Sequence, residues 1–185
     1  RVVLVWGAQT SKTTTILAGL AYRIAERPCP ALWVMPSEHL ARSFTETRWL
    51  PMIDDCPALA KEKPDNTDKI KILEQHFRKM SLWFVGSNSP ANLSSRSVAL
   101  LLLDEVDKFS DGTGSKEAGA LQLAEARVAT YPNHLVVSTS TPTASRLARI
   151  QRVTSIPLIL GIWISSRITS GSRPCESSEA TVTSP

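Results

Sequence analysis

The amino-acid sequence predicts an α/β fold in which a mainly parallel central sheet is flanked by helices. Short runs of β-branched and apolar residues recur along the chain, and their continuity is typical of strands buried on both faces. Segments with apolar residues at helical spacing separate these runs, which is the alternation expected of a parallel sheet. The 185 residues, 42% of them hydrophobic, are enough for one domain with a substantial core.

The individual elements can be placed in order along the chain. Strands are predicted at residues 1–6, 31–35, 81–85, 98–103 and 135–138. Helices are predicted at residues 12–26, 37–49, 68–79 and 116–130, with Ser37 as the cap of the second. Prolines and polar residues predict turns or loops at residues 51–57, 61–67, 86–96 and 110–115.

The composition changes near residue 150. From about residue 151 the chain is rich in Ser, Arg, Thr, Pro and Ile, and residues 165–185 contain little that could pack into a core. We therefore predict a folded domain over residues 1–150 and an atypical, disordered tail over residues 151–185. Because Arg1 enters a strand at once, we also expect the domain to be incomplete at its N-terminus.

Charge and cysteine content exclude some classes of protein. The net charge of +4 fits contact with DNA, although many proteins without a nucleic-acid role share it. Cys29, Cys56 and Cys175 form no CxxC pair, which argues against a disulfide framework or a zinc site. No apolar run approaches the roughly 18 residues that a membrane-spanning helix needs, so no membrane association is predicted.

A loop that resembles a phosphate-binding P-loop joins the first strand to the first helix. Its predicted nucleotide-binding residues are Gly7, Ala8, Gln9, Thr10, Ser11, Lys12 and Thr13. Lys12 would reach the β- and γ-phosphates of ATP, and the Thr13 hydroxyl would hold Mg²⁺. Trp6 and Ser11 replace the two glycines of the pattern GxxxxGK[ST], and Ser11 should adopt a costly backbone conformation there. The alternative is a plain strand–turn–helix with one exposed lysine.

An acidic pair follows the strongest strand signal, in the arrangement of a Walker B motif. Leu100–Leu103 leads directly into Asp104 and Glu105. Asp104 would bind Mg²⁺, and Glu105 would activate the attacking water as general base. Since ligands of open α/β sheets bind at the carboxyl ends of strands, both motifs should share one edge. The sequence therefore predicts an ATP- and Mg²⁺-binding P-loop NTPase domain of the ASCE type.

Hydroxyl residues end the following strand. Ser140 and Thr141 could contact the γ-phosphate or its water and couple hydrolysis to moving parts; the alternative is a turn stopped by Pro142. Asp107 could support the acidic pair or cap the helix before Phe109.

Arg96 and Arg127 are candidates for stabilising charge at the γ-phosphate. A surface or structural ion pair is the favoured role of each.

Together these residues resemble the ATPase domain of lambda-type (GpA-like) phage terminase large subunits. The resemblance rests on the loop at 7–13, PMI at 51–53, GSNSPANLSSR at 86–96, DEVD at 104–107, Arg127 and STPT at 140–143. The motifs agree in order and spacing from about residue 2 to 150. The GSNSPANLSSR element is the most specific, because generic ATPases do not carry it.

The resemblance implies a DNA-packaging motor in the cytoplasm of a bacterial host. Such a subunit would translocate double-stranded DNA as a homo-oligomeric ring on the portal protein, with a terminase small subunit as partner. We expect this chain to lack the family's nuclease domain, and the tail at 151–185 departs from the family pattern, as a frameshifted prophage remnant would. The alternatives are a helicase-like P-loop ATPase and a degenerate, non-catalytic prophage fragment.

Overall fold

A computed structural model describes residues 1–5, 11–109, 119–141 and 163–164 of the chain. The strands are β1 (Val2–Val5), β2 (Ala31–Met35), β3 (Glu74–His76), β4 (Ser81–Gly86), β5 (Leu100–Leu103), β6 (Leu135–Ser140) and β7 (Trp163–Ile164). The α-helices are α1 (Lys12–Glu26), α2 (Glu38–Phe44), α3 (Leu50–Asp55), α4 (Pro57–Ala60), α5 (Pro90–Ser94) and α6 (Ala120–Ala126). Thr45–Trp49 is π-helical, and Thr67–Lys69 and Val106–Lys108 are 3₁₀ turns.

The strands form one sheet in the order β3-β4-β2-β5-β6-β1-β7. The pairs β4-β2, β2-β5, β5-β6 and β6-β1 are parallel, whereas the edge strands β3 and β7 pair antiparallel with their neighbours. The predicted α/β class with a mainly parallel sheet is therefore confirmed. Since β1, β6 and β5 run the same way, their carboxyl ends lie side by side at one edge.

Apolar clusters cover both faces of the sheet. On one face, Trp33 stacks on Phe84 with ring centroids 5.7 Å apart and lies 4.9 Å from Phe44. This cluster takes in the apolar residues of α1, whereas Leu101 and Leu103 of β5 pack on the other face with α5 and α6. Burial on both faces explains why β2 and β5 are apolar at every position.

The prediction of a helix at residues 68–79 is wrong. Its apolar residues are compatible with a helical period, but Glu74–His76 instead pair with β4, and Gln75 lies wholly buried. The Gln75 side chain accepts a hydrogen bond from Trp49 Nε1 at 2.7 Å, which secures the strand against the helical layer. Pairing with a long neighbouring strand has overridden the local pattern.

The predicted boundaries of several helices and loops also need correction. The helix capped by Ser37, whose Oγ accepts from the Leu40 amide, does not stop near residue 49 but continues to Asp55. Pro51 therefore lies in α3 and not in a turn, because the preceding π-helical stretch accommodates a residue without an amide donor. Pro90 similarly begins the short helix α5 inside the loop predicted at residues 86–96.

The predicted strand at residues 98–103 is shorter and begins at Leu100, while that at 135–138 extends to Ser140. The helix predicted at residues 116–130 is seen as α6, and residues 116–118 lie outside the described part. Of the predicted tail only Trp163–Ile164 is described, paired with Val2 and Val3 of β1. The domain boundary at residue 150 stays a prediction. Within the described ranges, no helix has the length and apolar character to cross a membrane.

Candidate active site

The candidate site lies at the carboxyl edge of the sheet, where β6 separates β1 from β5. Val5 pairs with Ser140 and Leu103 pairs with Ser138, so the segments that follow these three strands start close together. Helix α1 begins at this edge with Lys12 and Thr13, and Ser11 precedes it as the N-cap residue. Gly7, Ala8, Gln9 and Thr10 of the predicted loop lie outside the described residues.

A direct contact joins the two motifs that were predicted to share this edge. Thr13 Oγ1 donates a hydrogen bond to Asp104 Oδ2 at 3.2 Å, across 91 positions of sequence. Lys12, the first residue of α1, is only 8% exposed, which contradicts the alternative of a solvent-exposed lysine in a plain turn. The site thus contains a hydroxyl bonded to a carboxylate, and a buried lysine directly precedes the hydroxyl residue in α1.

Asp104 is held on both carboxylate oxygens. Thr139 Oγ1 donates to its Oδ1 at 2.5 Å while Thr13 contacts its Oδ2. Burial raises the pKa of Asp104 above the usual range of an aspartate, and the hydrogen bonds from Thr139 and Thr13 lower it only in part. The charged form of this carboxylate is therefore under-compensated by the described side chains, as expected of a group that receives a cation.

The donors fit Mg²⁺ in type. Carboxylate and hydroxyl oxygens are hard ligands, and Mg²⁺ sites commonly combine one or two carboxylates with water and substrate phosphate oxygens. Within residues 1–5, 11–109 and 119–141, no group of three His, Cys, Asp or Glu side chains could hold a metal ion. Thr13 and Asp104 would hold Mg²⁺ only together with other oxygens, such as those of a bound triphosphate.

Glu105, the predicted general base, has an uncommon backbone conformation. Its φ of 52° and ψ of 49° lie in the left-handed region, which a residue with a Cβ enters only at a cost. Its amide donates to Thr139 Oγ1 at 3.3 Å, and its carboxylate accepts from Lys108 Nζ at 2.8 Å. Strain of this kind often marks a functional site.

The end of β6 forms hydrogen bonds with three residues of the acidic segment, Asp104, Glu105 and Asp107. Thr139 bonds Asp104, as described, and Ser140 Oγ donates to Asp107 Oδ1 at 3.0 Å. Ser140 and Thr141 were the residues predicted at this strand end, whereas Thr139, which contacts Asp104, was not among them. The strand continues through buried residues to Ser140, and extending the predicted strand by two residues would have placed Thr139 at this edge.

The two candidate arginines lie away from this edge. Arg127 Nη1 donates to the Ser94 carbonyl at 2.8 Å, and its own carbonyl accepts from Val98, which precedes the amino end of β5. Arg96 stacks over Trp83, 5.1 Å from the ring centroid, and lies 3.6 Å from Glu74. Arg96 thus forms the kind of ion pair that was favoured from the sequence, whereas Arg127 donates to a backbone carbonyl.

Ser11 confirms the expected backbone cost of a non-glycine residue in the loop. Its φ is 62° and its ψ 22°, and with Glu105 it is one of two non-glycine residues of positive φ in the described chain. The left-handed region costs an L-residue about 1–2 kcal/mol, whereas glycine enters it freely.

A Ser11→Gly variant should therefore raise the free energy of unfolding by about 1 kcal/mol. Urea titration followed by circular dichroism would measure the change. Ser43→Gly, at an exposed position of α2, is the matched control and should lower the same quantity by about 0.5 kcal/mol. Equal losses in both variants would contradict strain at Ser11.

The chain is similar to a known family in sequence and to known proteins in fold. The family described as "Phage terminase large subunit gpA, ATPase domain" matches residues 1–156. No curated protein matches the chain significantly. Among solved structures, the chain is similar to the large terminase ATPase domain of Thermus phage P74-26, with a TM-score of 0.50 at 14% identity over 80% of this chain and 62% of that one. An arginine-to-alanine mutant of the same domain gives 0.51 at 15% identity over 77% and 60%. The chain thus spans about 60% of these structures and shares their fold.

Proposed function

The chain belongs to the ATPase-domain family of gpA-type phage terminase large subunits, and from this premise we propose that it hydrolyses ATP to translocate double-stranded DNA into a capsid. The contact between Thr13 and Asp104 carries the proposal. It brings the P-loop helix and the Walker B carboxylate, distant in sequence, to the single edge at which a nucleotide would be bound by both.

Each residue at this edge has a proposed part. The loop at residues 7–13 would bind the phosphates through its amides, with Lys12 as the charged donor at the start of α1. Thr13 and Asp104 would hold Mg²⁺, which when bound neutralises phosphate charge. Glu105 would accept the proton of the attacking water. Ser140 and Thr141 would couple hydrolysis to movement, since they connect β6 to the acidic segment.

The proposed surroundings follow from the family. They are double-stranded DNA as the moved substrate, the terminase small subunit and portal protein as partners, a homo-oligomeric ring on the portal, and the bacterial host cytoplasm as location. The ATPase domain would occupy residues 1–150. The net charge of +4 is compatible with DNA as a partner.

Replacing the proposed general base tests the catalytic part of this proposal. Glu105→Gln should lower the turnover of Mg-ATP at least about 100-fold, because general-base catalysis contributes at least that much. It should leave ATP binding intact, since the amide keeps the size of the side chain. Phosphate release would measure turnover, and fluorescence titration with a labelled ATP analogue would measure binding.

Glu46→Gln, on the exposed side of the π-helical stretch, is the matched control and should leave turnover unchanged. Equal turnover by wild type and Glu105→Gln would exclude Glu105 as the base. If both wild type and Glu105→Gln bound ATP without turnover, the alternative of a degenerate, non-catalytic prophage fragment would be favoured.

A further inference from the structure

Asp107 is a buried carboxylate that the proposed ATPase chemistry does not use. It lies in the 3₁₀ turn Val106–Lys108, is 5% exposed and faces the end of β6. Its Oδ1 accepts from Ser140 Oγ at 3.0 Å and from the Thr141 amide at 3.5 Å. A buried charge is costly unless hydrogen bonds satisfy it, so the Ser140 hydroxyl and the Thr141 amide help to fix where this turn can lie.

The contact has a counterpart on the other side of Glu105. Asp104 accepts from Thr139 and Asp107 accepts from Ser140, so successive hydroxyls of one strand hold two carboxylates of the other segment. Glu105 lies between the two anchors in the left-handed conformation, and its amide donates to Thr139. Its side chain contacts the exposed Lys108, and such a pair contributes little to holding a backbone.

We propose that Asp107 is a positioning residue that holds the strained turn at Glu105 and relays displacement of Ser140 and Thr141 to it. This inference rests on the proposed function, since it takes Glu105 as the base. A strained conformation persists only where its surroundings enforce it. With Thr139 holding one end, Asp107 supplies the enforcement at the other. Any movement of the β6 end would shift the turn through this contact.

The kinetic test compares Asp107→Ala with Asp107→Asn, in which one oxygen can still accept from Ser140. Asp107→Ala should lower kcat for ATP about 10- to 100-fold, the scale of a misplaced reacting group, while KM changes less than about threefold. Asp107→Asn should restore most of kcat. The double variant Asp107→Ala with Ser140→Ala should be no slower than Asp107→Ala alone, because Asp107→Ala already removes the acceptor of the Ser140 hydroxyl.

Amide hydrogen exchange supplies a readout that needs no nucleotide. The Lys108 amide donates to Glu105 and the Phe109 amide to Val106, so their protection reports the closed turn. In Asp107→Ala these amides should exchange about tenfold faster, as local opening becomes easier. In the control Asp55→Ala, at the exposed end of α3, they should exchange as in wild type.

The two hypotheses fail differently. A wild-type chain without turnover defeats the proposed function, yet faster exchange in Asp107→Ala would still establish the anchor. Unchanged exchange in Asp107→Ala, or additive losses of kcat in the double variant, would overturn the role of Asp107 even if Glu105 proves essential. If Asp107→Ala does not fold, exchange and kcat in Asp107→Asn and Ser140→Ala decide: wild-type values in Ser140→Ala overturn the proposal.

Discussion

A Gly86→Ala variant is expected to lose about 3 kcal/mol or more of its free energy of unfolding, at the upper end of what overpacking costs. Gly86 ends β4 directly beneath the start of α2. A Cβ there would lie 2.7 Å from the Ser37 carbonyl carbon and closer still to the Glu38 amide nitrogen. Both neighbours are backbone atoms, so no side-chain rotation relieves the clash. The two elements would have to move apart.

Separation would also break the hydrogen bonds around the clash. The Ser87 amide donates to the Met35 carbonyl at 2.8 Å, and Ser87 Oγ donates to the Pro36 carbonyl at 2.8 Å. These bonds link the end of β4 to the chain between β2 and α2. The loss of these two bonds adds to the steric cost, because Ser87, which donates both of them, is buried from water.

Gly19→Ala is the control that separates this clash from a general effect of glycine replacement. A Cβ at Gly19, in the middle of α1, would meet nothing within 4 Å. Removing a glycine from a helix should raise the free energy of unfolding by about 0.5–1 kcal/mol. Urea unfolding of both variants should therefore give changes of opposite sign. A Gly86→Ala protein as stable as wild type would contradict the close approach.

Gly86 shows the limit of what a local sequence pattern can predict. The stretch at residues 86–96 was the most specific element of the family resemblance, yet its residues predicted only a polar loop. The need for glycine arises from α2, whose start is distant in sequence. By contrast, β5 was predictable because burial on both faces makes its residues continuously apolar.

The candidate site likewise has some features that were predictable from the sequence and others that were not. The parallel order of the strands was enough to predict that Thr13 and Asp104 share an edge, since connections in such sheets return chains to the same side. Which hydroxyl of β6 contacts Asp104 depends on the register with β1 and β5, which composition does not encode. The left-handed backbone of Glu105 was likewise beyond prediction, because no glycine or asparagine marks it.

If Asp104 holds Mg²⁺ as proposed, Asp104→Asn should lower ATP turnover about 1,000-fold or more, because the metal's Lewis-acid contribution of several kcal/mol would be lost with its carboxylate ligand. The same change should make the nucleotide-free protein more stable. The asparagine side chain would keep an oxygen to accept from Thr139, and the substitution would remove a charge that burial disfavours. Loss of activity with a gain in stability is unusual for a single substitution and is the signature of a site kept for function.

The free energy of unfolding should depend on pH through the pKa of Asp104, which burial raises above its value in the unfolded chain. The folded protein then binds this proton more tightly than the unfolded chain does. The free energy of unfolding therefore falls as pH rises between the two pKa values. The stability advantage of Asp104→Asn should be full above the folded pKa. It should shrink as pH falls through that value and vanish below the unfolded pKa.

Thermal unfolding of wild type and Asp104→Asn between acidic and neutral pH would measure this difference, with Asp55→Asn as an exposed control that changes neither stability nor turnover. Added Mg-ATP should raise the unfolding temperature of wild type well above its effect on Asp104→Asn, because a ligand stabilises only the form that binds it. If Asp104→Asn proved less stable than wild type at neutral pH, the Asp104 charge would be better satisfied than its burial implies. If Mg-ATP stabilised both proteins equally, Asp104 would not be a ligand of the bound metal.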